Sequence, residues 1–242
     1  MDHIVEVSVR SARDDARDPL FEPLYAPVPD GHSFVLGRVA QSLDGYIATR
    51  DGESVWISGP DDLRHTHRLR ALSDAVVVGA RTIRADNPLL TTRLVAGPSP
   101  VRVVLDPDRR LDDSYRVFRD GPETLLLCAP DAADTGSVGA ALVLPVARGP
   151  AGLDIDAILT LLRARGLRRI FVEGGGVTVS RFLAAGALDR LHVTVAPLVM
   201  GGGVPAFPLP PVDRLEEGRR FVWTAHRIGA DILLDIPLAR AE

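Results

Sequence analysis

The chain has 242 residues, 46% of them hydrophobic, with 28 basic against 32 acidic side chains and a formal net charge of −4. That composition suits a packed core, and it excludes a disordered chain and the broad positive field that nucleic acid or an anionic membrane attracts. All 28 basic residues are arginine and Cys128 is the single cysteine, which excludes P-loop, lysine Schiff-base and Tyr-x-x-x-Lys chemistry, an internal disulfide and Cys-rich zinc sites.

Residues 1–32 stand apart. Arg10 to Asp18 is charge-rich, and Pro19, Pro23, Pro27 and Pro29 follow, so this stretch reads as an irregular N-terminal arm that Leu20, Phe21, Leu24 and Tyr25 can anchor. A single domain is expected over 33–238. Phe34 to Val39 predicts a first strand. Ser58-Gly59-Pro60-Asp61-Asp62 starts a helix running to about Leu72, with proline in the first turn and two carboxylates at the positive end. Ala75–Val78, Val101–Leu105 and Thr124–Cys128 are continuous apolar runs, as in strands buried on both faces; Ala141–Val146 is a weaker example. Asp154 caps a helix to Arg165 that Gly166 stops. Arg169–Val172 predicts a strand, Val177–Ala185 a helix stopped by Gly186, and Leu191–Ala196 another strand. Phe221–Arg227 and Ile232–Ile236 flank Gly229-Ala230-Asp231 as a hairpin. The expected fold is α/β, a mixed, mostly parallel sheet flanked by helices with a C-terminal antiparallel hairpin. No signal peptide pattern and no 18-residue apolar run is present, and the expected location is cytoplasmic.

Four segments bear on chemistry. Glu173-Gly174-Gly175-Gly176 lies between a buried strand and a helix. It suits a tight turn, and equally a backbone that approaches a phosphate at a helix start, with Thr178 and Ser180 adding hydroxyls. Glu173 at the strand end favours a site, because ligands of open α/β sheets lie beyond the carboxyl ends of strands. Gly79 and Thr82 occupy the same kind of place after the Ala75–Val78 strand, and Asp86-Asn87-Pro88 ends a short helix there; a turn with surface arginines is the simpler reading. Ser42-Leu43-Asp44-Gly45 and Asp51 to Trp56 carry two Asp-Gly turns, with Trp56 either a core anchor or part of a site. Arg70, Arg93 and Arg102 are candidate anion ligands whose ordinary role would be surface ion pairs. His65 and His67 are two apart on a helix and point different ways. No metal centre is expected.

Taken in order, SLDG (42–45), GESVWIS (52–58), HRLRA (67–71), DAVVVGARTIRADNPLLTTR (74–93), VRVVLD (101–106), FVEGGG (171–176) and APLVMGGG (196–203) resemble the C-terminal reductase domain of the bifunctional riboflavin-biosynthesis deaminase/reductase. The zinc-binding His and Cys residues of the deaminase half have no counterpart. The resemblance implies a dihydrofolate-reductase-like fold, NADPH, a homodimer, and reduction of 5-amino-6-(5-phosphoribosylamino)uracil to its ribityl form. It implies NADPH at Ala40, Trp56, Gly79, Thr82, Asp86 and the turn Gly174, Gly175, Gly176, Val177 and Thr178 on to Arg181. It implies substrate at Ser54, Arg70, Leu90, Arg93 and Glu173. Two arginines and a serine hydroxyl suit a phosphate dianion without lysine. Asp86, then Asp44, are the candidates for proton transfer, and Arg81 or Arg109 for the 2′-phosphate of NADPH. Tyr46 stands where many members carry lysine, which motivates a second reading as a dihydrofolate- or pterin-type reductase. A third is a non-catalytic nucleotide-binding module.

Overall fold

The computed structural model of the chain describes residues 10–11, 20–54, 57–133 and 137–238. In chain order the elements are β1 (Arg10–Ser11), α1 (Glu22–Tyr25), β2 (Phe34–Gln41), β3 (Tyr46–Ala48), α2 (Pro60–Ala71), β4 (Ala75–Gly79), α3 (Ala80–Asp86), β5 (Val101–Leu105), β6 (Thr124–Cys128), β7 (Leu142–Pro145), β8 (Arg148–Gly149) and β9 (Gly152–Leu153). They continue with α4 (Ile155–Ala164), β10 (Arg169–Glu173), α5 (Gly176–Ala184), β11 (Arg190–Val195), β12 (Val204–Pro205), β13 (Thr224–Ile228) and β14 (Asp231–Pro237).

The apolar runs become the middle of a ten-stranded sheet ordered β1-β13-β14-β11-β2-β10-β4-β5-β6-β7. From β11 to β7 every neighbouring pair is parallel. The β13–β14 hairpin adds antiparallel strands beside β11. Side chains alternate between two packed layers, as the strand period of two requires. Val35, Val77, Val103 and Leu125 face α4 and α5, where Ile158, Leu162, Val179 and Phe182 cover them. Leu36, Val76, Val78, Val104 and Leu126 face Leu69 of α2 and Ile83 of α3. Burial on both faces explains why these strands lack a polar stripe.

Local signals account for the helix ends. Gly59 precedes α2 in an extended conformation, with Pro60 at its start and Asp61 and Asp62 in the first turn. Asp154 caps α4 by accepting from Ala157 N at 2.8 Å.

Three expectations change. The arm is not irregular throughout: α1 forms one turn, and Leu20, Phe21 and Leu24 are buried in the layer that holds Leu69, while Tyr25 is exposed. Arg169 fastens this stretch by donating to the Leu24 and Ala26 carbonyls at 2.9 and 3.0 Å. The strand expected from Phe221 begins at Thr224: Phe221 to Trp223 have no strand beside them among the described residues, and Val222 is 85% exposed. The β3–β12 ribbon was not expected at all; it pairs Ala48 with Val204 and Tyr46 with Pro205.

Candidate functional site

All strands from β11 to β7 end on the same side of the sheet. There, adjacent β4 and β10 each run through glycine into a helix. Gly174 and Gly175 take φ of 69° and 65°, a region that L side chains rarely enter. A methyl at Gly175 would lie 2.6 Å from Thr82 Oγ1, and one at Gly79 would lie 2.6 Å from Thr178 Oγ1. Thr178 thus confines Gly79, and Thr82 adds to the constraint that the backbone of Gly175 already imposes. Gly176 is equally confined, by the Ala206 and Pro205 carbonyls at 2.5 and 2.7 Å. The start of α5 has main-chain N–H groups without intrahelical partners, and Val177 there is exposed. Bare backbone, two hydroxyls and a positive helix end together fit a dinucleotide's diphosphate.

Below this turn, Glu173 accepts from Arg70 Nε at 2.7 Å and from Arg70 Nη2 at 2.5 Å. The pair is nearly sealed, with side-chain exposures of 6% for Arg70 and 15% for Glu173. Burial alone would raise the Glu173 carboxyl, but the charge and hydrogen bonds of Arg70 outweigh it and hold it below the ordinary value. The remaining Arg70 nitrogen, Nη1, donates to the Thr91 carbonyl at 2.9 Å. Arg70, expected at the substrate, is thus ion-paired with Glu173, itself an expected substrate residue, and also ties the loop that carries Arg93.

That loop leaves α3 through Asn87 at φ 41°, and Leu90 follows at φ 56°. Leu90 as a whole is 1% exposed and its side chain packs in the α2–α3 layer. Arg93 is exposed and forms no ion pair among the described residues. Desolvation and the like charges of Arg70 and Arg116 push its guanidinium below the ordinary value. Arg116 joins this region because its N–H donates to Asn87 Oδ1 at 2.8 Å. Ser54 reaches the same end of α3, its hydroxyl donating to Asp86 Oδ1 at 2.9 Å.

Asp44 departs from its expected proton-transfer role. Its carboxylate accepts from Ser42 Oγ at 2.6 Å, from Met200 N at 3.1 and 3.2 Å and from Gly201 N at 2.7 Å. The Ser42 hydroxyl and these N–H groups hold the carboxyl below the ordinary range, so near neutrality it is an ionised clasp and no proton donor. The clasp joins the SLDG turn to the glycine loop, beside a cleft of about 310 Å³ lined by Thr49, Arg50, Asp51, Met200, Gly201 and Gly202.

Other candidates scatter. Ala40 is half-buried on β2, in register with Thr194. Trp56 lies outside the described residues. Arg102 is 1% exposed and donates to the Asp120 and Pro122 carbonyls at 3.2 and 2.6 Å, which makes it a structural tie remote from the cleft. Arg181 donates to the Leu153 carbonyl at 2.5 Å. Arg81 is exposed, and Arg109, at φ 49°, donates to the Ala133 carbonyl at 3.4 Å. His67, Asn87 and Arg116 were missed; only the three-residue step from His67 to Arg70 on α2 hinted that these two share a face.

The family described as the RibD C-terminal domain matches residues 33–226. A Methanothermobacter thermautotrophicus protein named 2,5-diamino-6-ribosylamino-4(3H)-pyrimidinone 5′-phosphate reductase is 36% identical over 174 residues, which are 70% of this chain and 80% of that protein. The riboflavin biosynthesis protein RibD of Aquifex aeolicus is 31% identical over 83% of this chain and 56% of its own length. Among solved structures, the Thermotoga maritima diaminohydroxyphosphoribosylaminopyrimidine deaminase/5-amino-6-(5-phosphoribosylamino)uracil reductase superposes with TM-score 0.74 at 27% identity, covering 86% of this chain and 57% of that one. The chain thus spans somewhat over half the length of the bifunctional relatives. Enterococcus faecalis dihydrofolate reductase shares the fold at TM-score 0.50 and 15% identity. The matched span and the identity to these relatives show that the chain belongs to the RibD C-terminal domain family.

Proposed function

We propose that the protein is an NADPH-dependent reductase that converts 5-amino-6-(5-phosphoribosylamino)uracil to 5-amino-6-(5-phosphoribitylamino)uracil in riboflavin biosynthesis. The observation that carries this reading is the charge around the loop that follows α3. Glu173 neutralises Arg70, while Arg93 and Arg116 have no ion-pair partner among the described residues. An unmatched cationic pair beside a dinucleotide-shaped turn suits a phosphorylated substrate, and a pterin without an anionic tail would leave it unused.

Gly174, Gly175, the start of α5 and the hydroxyls of Thr82 and Thr178 would hold the cofactor's diphosphate, with Arg81 or Arg109 toward its 2′-phosphate. The bound cofactor supplies a hydride. On the substrate, the C1′–O4′ bond opens, a proton reaches O4′, and the resulting C1′=N carbon accepts the hydride. Asp86, with the Ser54 hydroxyl on its Oδ1, is the pair assigned to move that proton. Arg93 holds the phosphate, and Glu173 with Arg70 supports the pyrimidine side. The reductase unit is assigned to 33–238, in the cytoplasm. A homodimer belongs to the same reading, since Leu215, Val222 and Trp223 leave apolar surface at 88%, 85% and 38% exposure.

Reduced-nicotinamide absorbance followed with the purified protein and the phosphoribosylamino-pyrimidine tests the proposal; no turnover at any enzyme concentration refutes it. The stand-alone archaeal relative motivates a second reading, in which the 2,5-diamino pyrimidinone is reduced before deamination. The ratio of kcat/KM for the two pyrimidines decides between them.

A further inference from the structure

Three consecutive residues of the substrate-side loop are each held through their main chain by a side chain. Arg70 Nη1 donates to the Thr91 carbonyl at 2.9 Å, Ser99 Oγ accepts from Thr92 N at 3.0 Å, and His67 Nδ1 accepts from Arg93 N at 3.0 Å. His67 and Arg70 lie one helical turn apart on α2, so both reach the same loop.

His67 is fully buried, at 0% exposure. To accept at Nδ1, its ring must be neutral with the proton on Nε2. That Nε2 has no hydrogen-bond partner among the described residues. A side chain present only to fill space would be apolar and would carry no orphaned donor. The histidine is therefore explained by its other nitrogen. We propose that His67 is a positioning residue for phosphate recognition: by accepting from the Arg93 main chain it fixes the loop so that the Arg93 guanidinium meets the substrate's phosphate.

The inference rests on reading Arg93 as the phosphate ligand, and the experiment separates the two. Asparagine puts its amide oxygen near the place of Nδ1, whereas glutamine puts it near Nε2. The readouts are KM and kcat for the phosphorylated substrate and the inhibition constant of inorganic phosphate at fixed ionic strength. They are taken for the wild type, H67N, H67Q, R93A and the H67Q/R93A double variant. H67Q is expected to raise KM and the phosphate constant about tenfold, with kcat held within about twofold. H67N is expected to restore both, and H67Q to add nothing once Arg93 is gone.

If R93A weakens phosphate while H67Q does not, or if H67Q acts in full in the R93A background, the role of His67 is refuted and that of Arg93 stands. If R93A leaves phosphate affinity unchanged, the Arg93 assignment itself fails and takes the inference with it. One measurement needs no variant: the ring nitrogen shifts of His67 in the wild-type protein must report an unprotonated Nδ1, and phosphate must move the Arg93 amide signal. A protonated Nδ1 overturns the proposal.

Discussion

Helix α2 separates two clusters of charge, one largely buried and one that reaches the surface at Arg93 and Arg116. At its N-terminal end Asp62 is ion-paired with Arg38 and accepts from Thr194 Oγ1 at 2.7 Å. Nearby, His65 Nε2 and His192 Nδ1 share a 3.1 Å hydrogen bond, and Asp235 is paired with Arg190 and lies 3.4 Å from His192. Each of the two guanidiniums there is matched by a carboxylate, and a third buried carboxyl, Asp231, accepts from Gly59 N at 2.7 Å and is pushed up by its burial. At the C-terminal end, Glu173 matches Arg70 and leaves Arg93 and Arg116 over. Guanidiniums already matched by carboxylates are architecture, whereas Arg93 and Arg116, with no ion-pair partner among the described residues, are where the proposal puts an anion. Proximity of arginines alone would not have told the two apart.

The comparison can be broken most forcefully at Asp62. Burial opposes its charge, yet Arg38 and the neighbouring hydroxyls hold its carboxyl at about 2. Asp62→Ala strands Arg38 and is expected to cost about 3–5 kcal/mol in a urea melt, without changing the KM of the protein that remains folded. Arg93→Ala should do the reverse. KM rises about 10–100-fold, from a lost contact of about 1.5–3 kcal/mol, and the melting temperature stays put because the side chain is exposed.

Acid sharpens the contrast next. Burial first, then neighbouring positive charge, lowers His67 from 6.5 to about 4, and burial also lowers His65 and His192. The fold keeps these rings neutral while the unfolded chain takes up protons below about 6.5. The stability they contribute is whole above that pH and is lost as pH falls toward about 4. His67 alone accounts for ~2 kcal/mol of that loss by pH ~5, and chemical denaturation across this range measures it. A midpoint that does not move between neutrality and pH ~5 would contradict the assignment of neutral buried rings. The smallest effect is expected at Gly175→Ala. Its φ of 65° costs a side chain about 1–2 kcal/mol, and cofactor affinity, read by calorimetry, should weaken further because the methyl meets Thr82.

Much of the frame was legible. Val101–Leu105 and Thr124–Cys128 form strands with the limits their apolar runs suggest, and Asp154 caps α4 as its position implied. What stayed hidden depends on partners far along the chain. Glu173 is 103 residues from Arg70, and Asp44 is 157 from Gly201. No local pattern reveals that one arginine is already engaged or that one aspartate is a clasp. The β3–β12 ribbon was invisible for a different reason: three and two residues, one a proline, are too few to show a period.

The crossed contacts between the two glycine turns also limit how this surface can drift. Gly79 has an ordinary backbone, and only the Thr178 hydroxyl stands in the way of a methyl there; the next Thr178 atom, Cβ, is 3.9 Å off. Trimming Thr178 to alanine would therefore open position 79 to substitution, but would delete a hydroxyl assigned to the diphosphate. Change at 79 is therefore tethered to change at 178, whereas 175 is expected to stay glycine whatever stands at 82, because its φ of 65° disfavours side chains on its own.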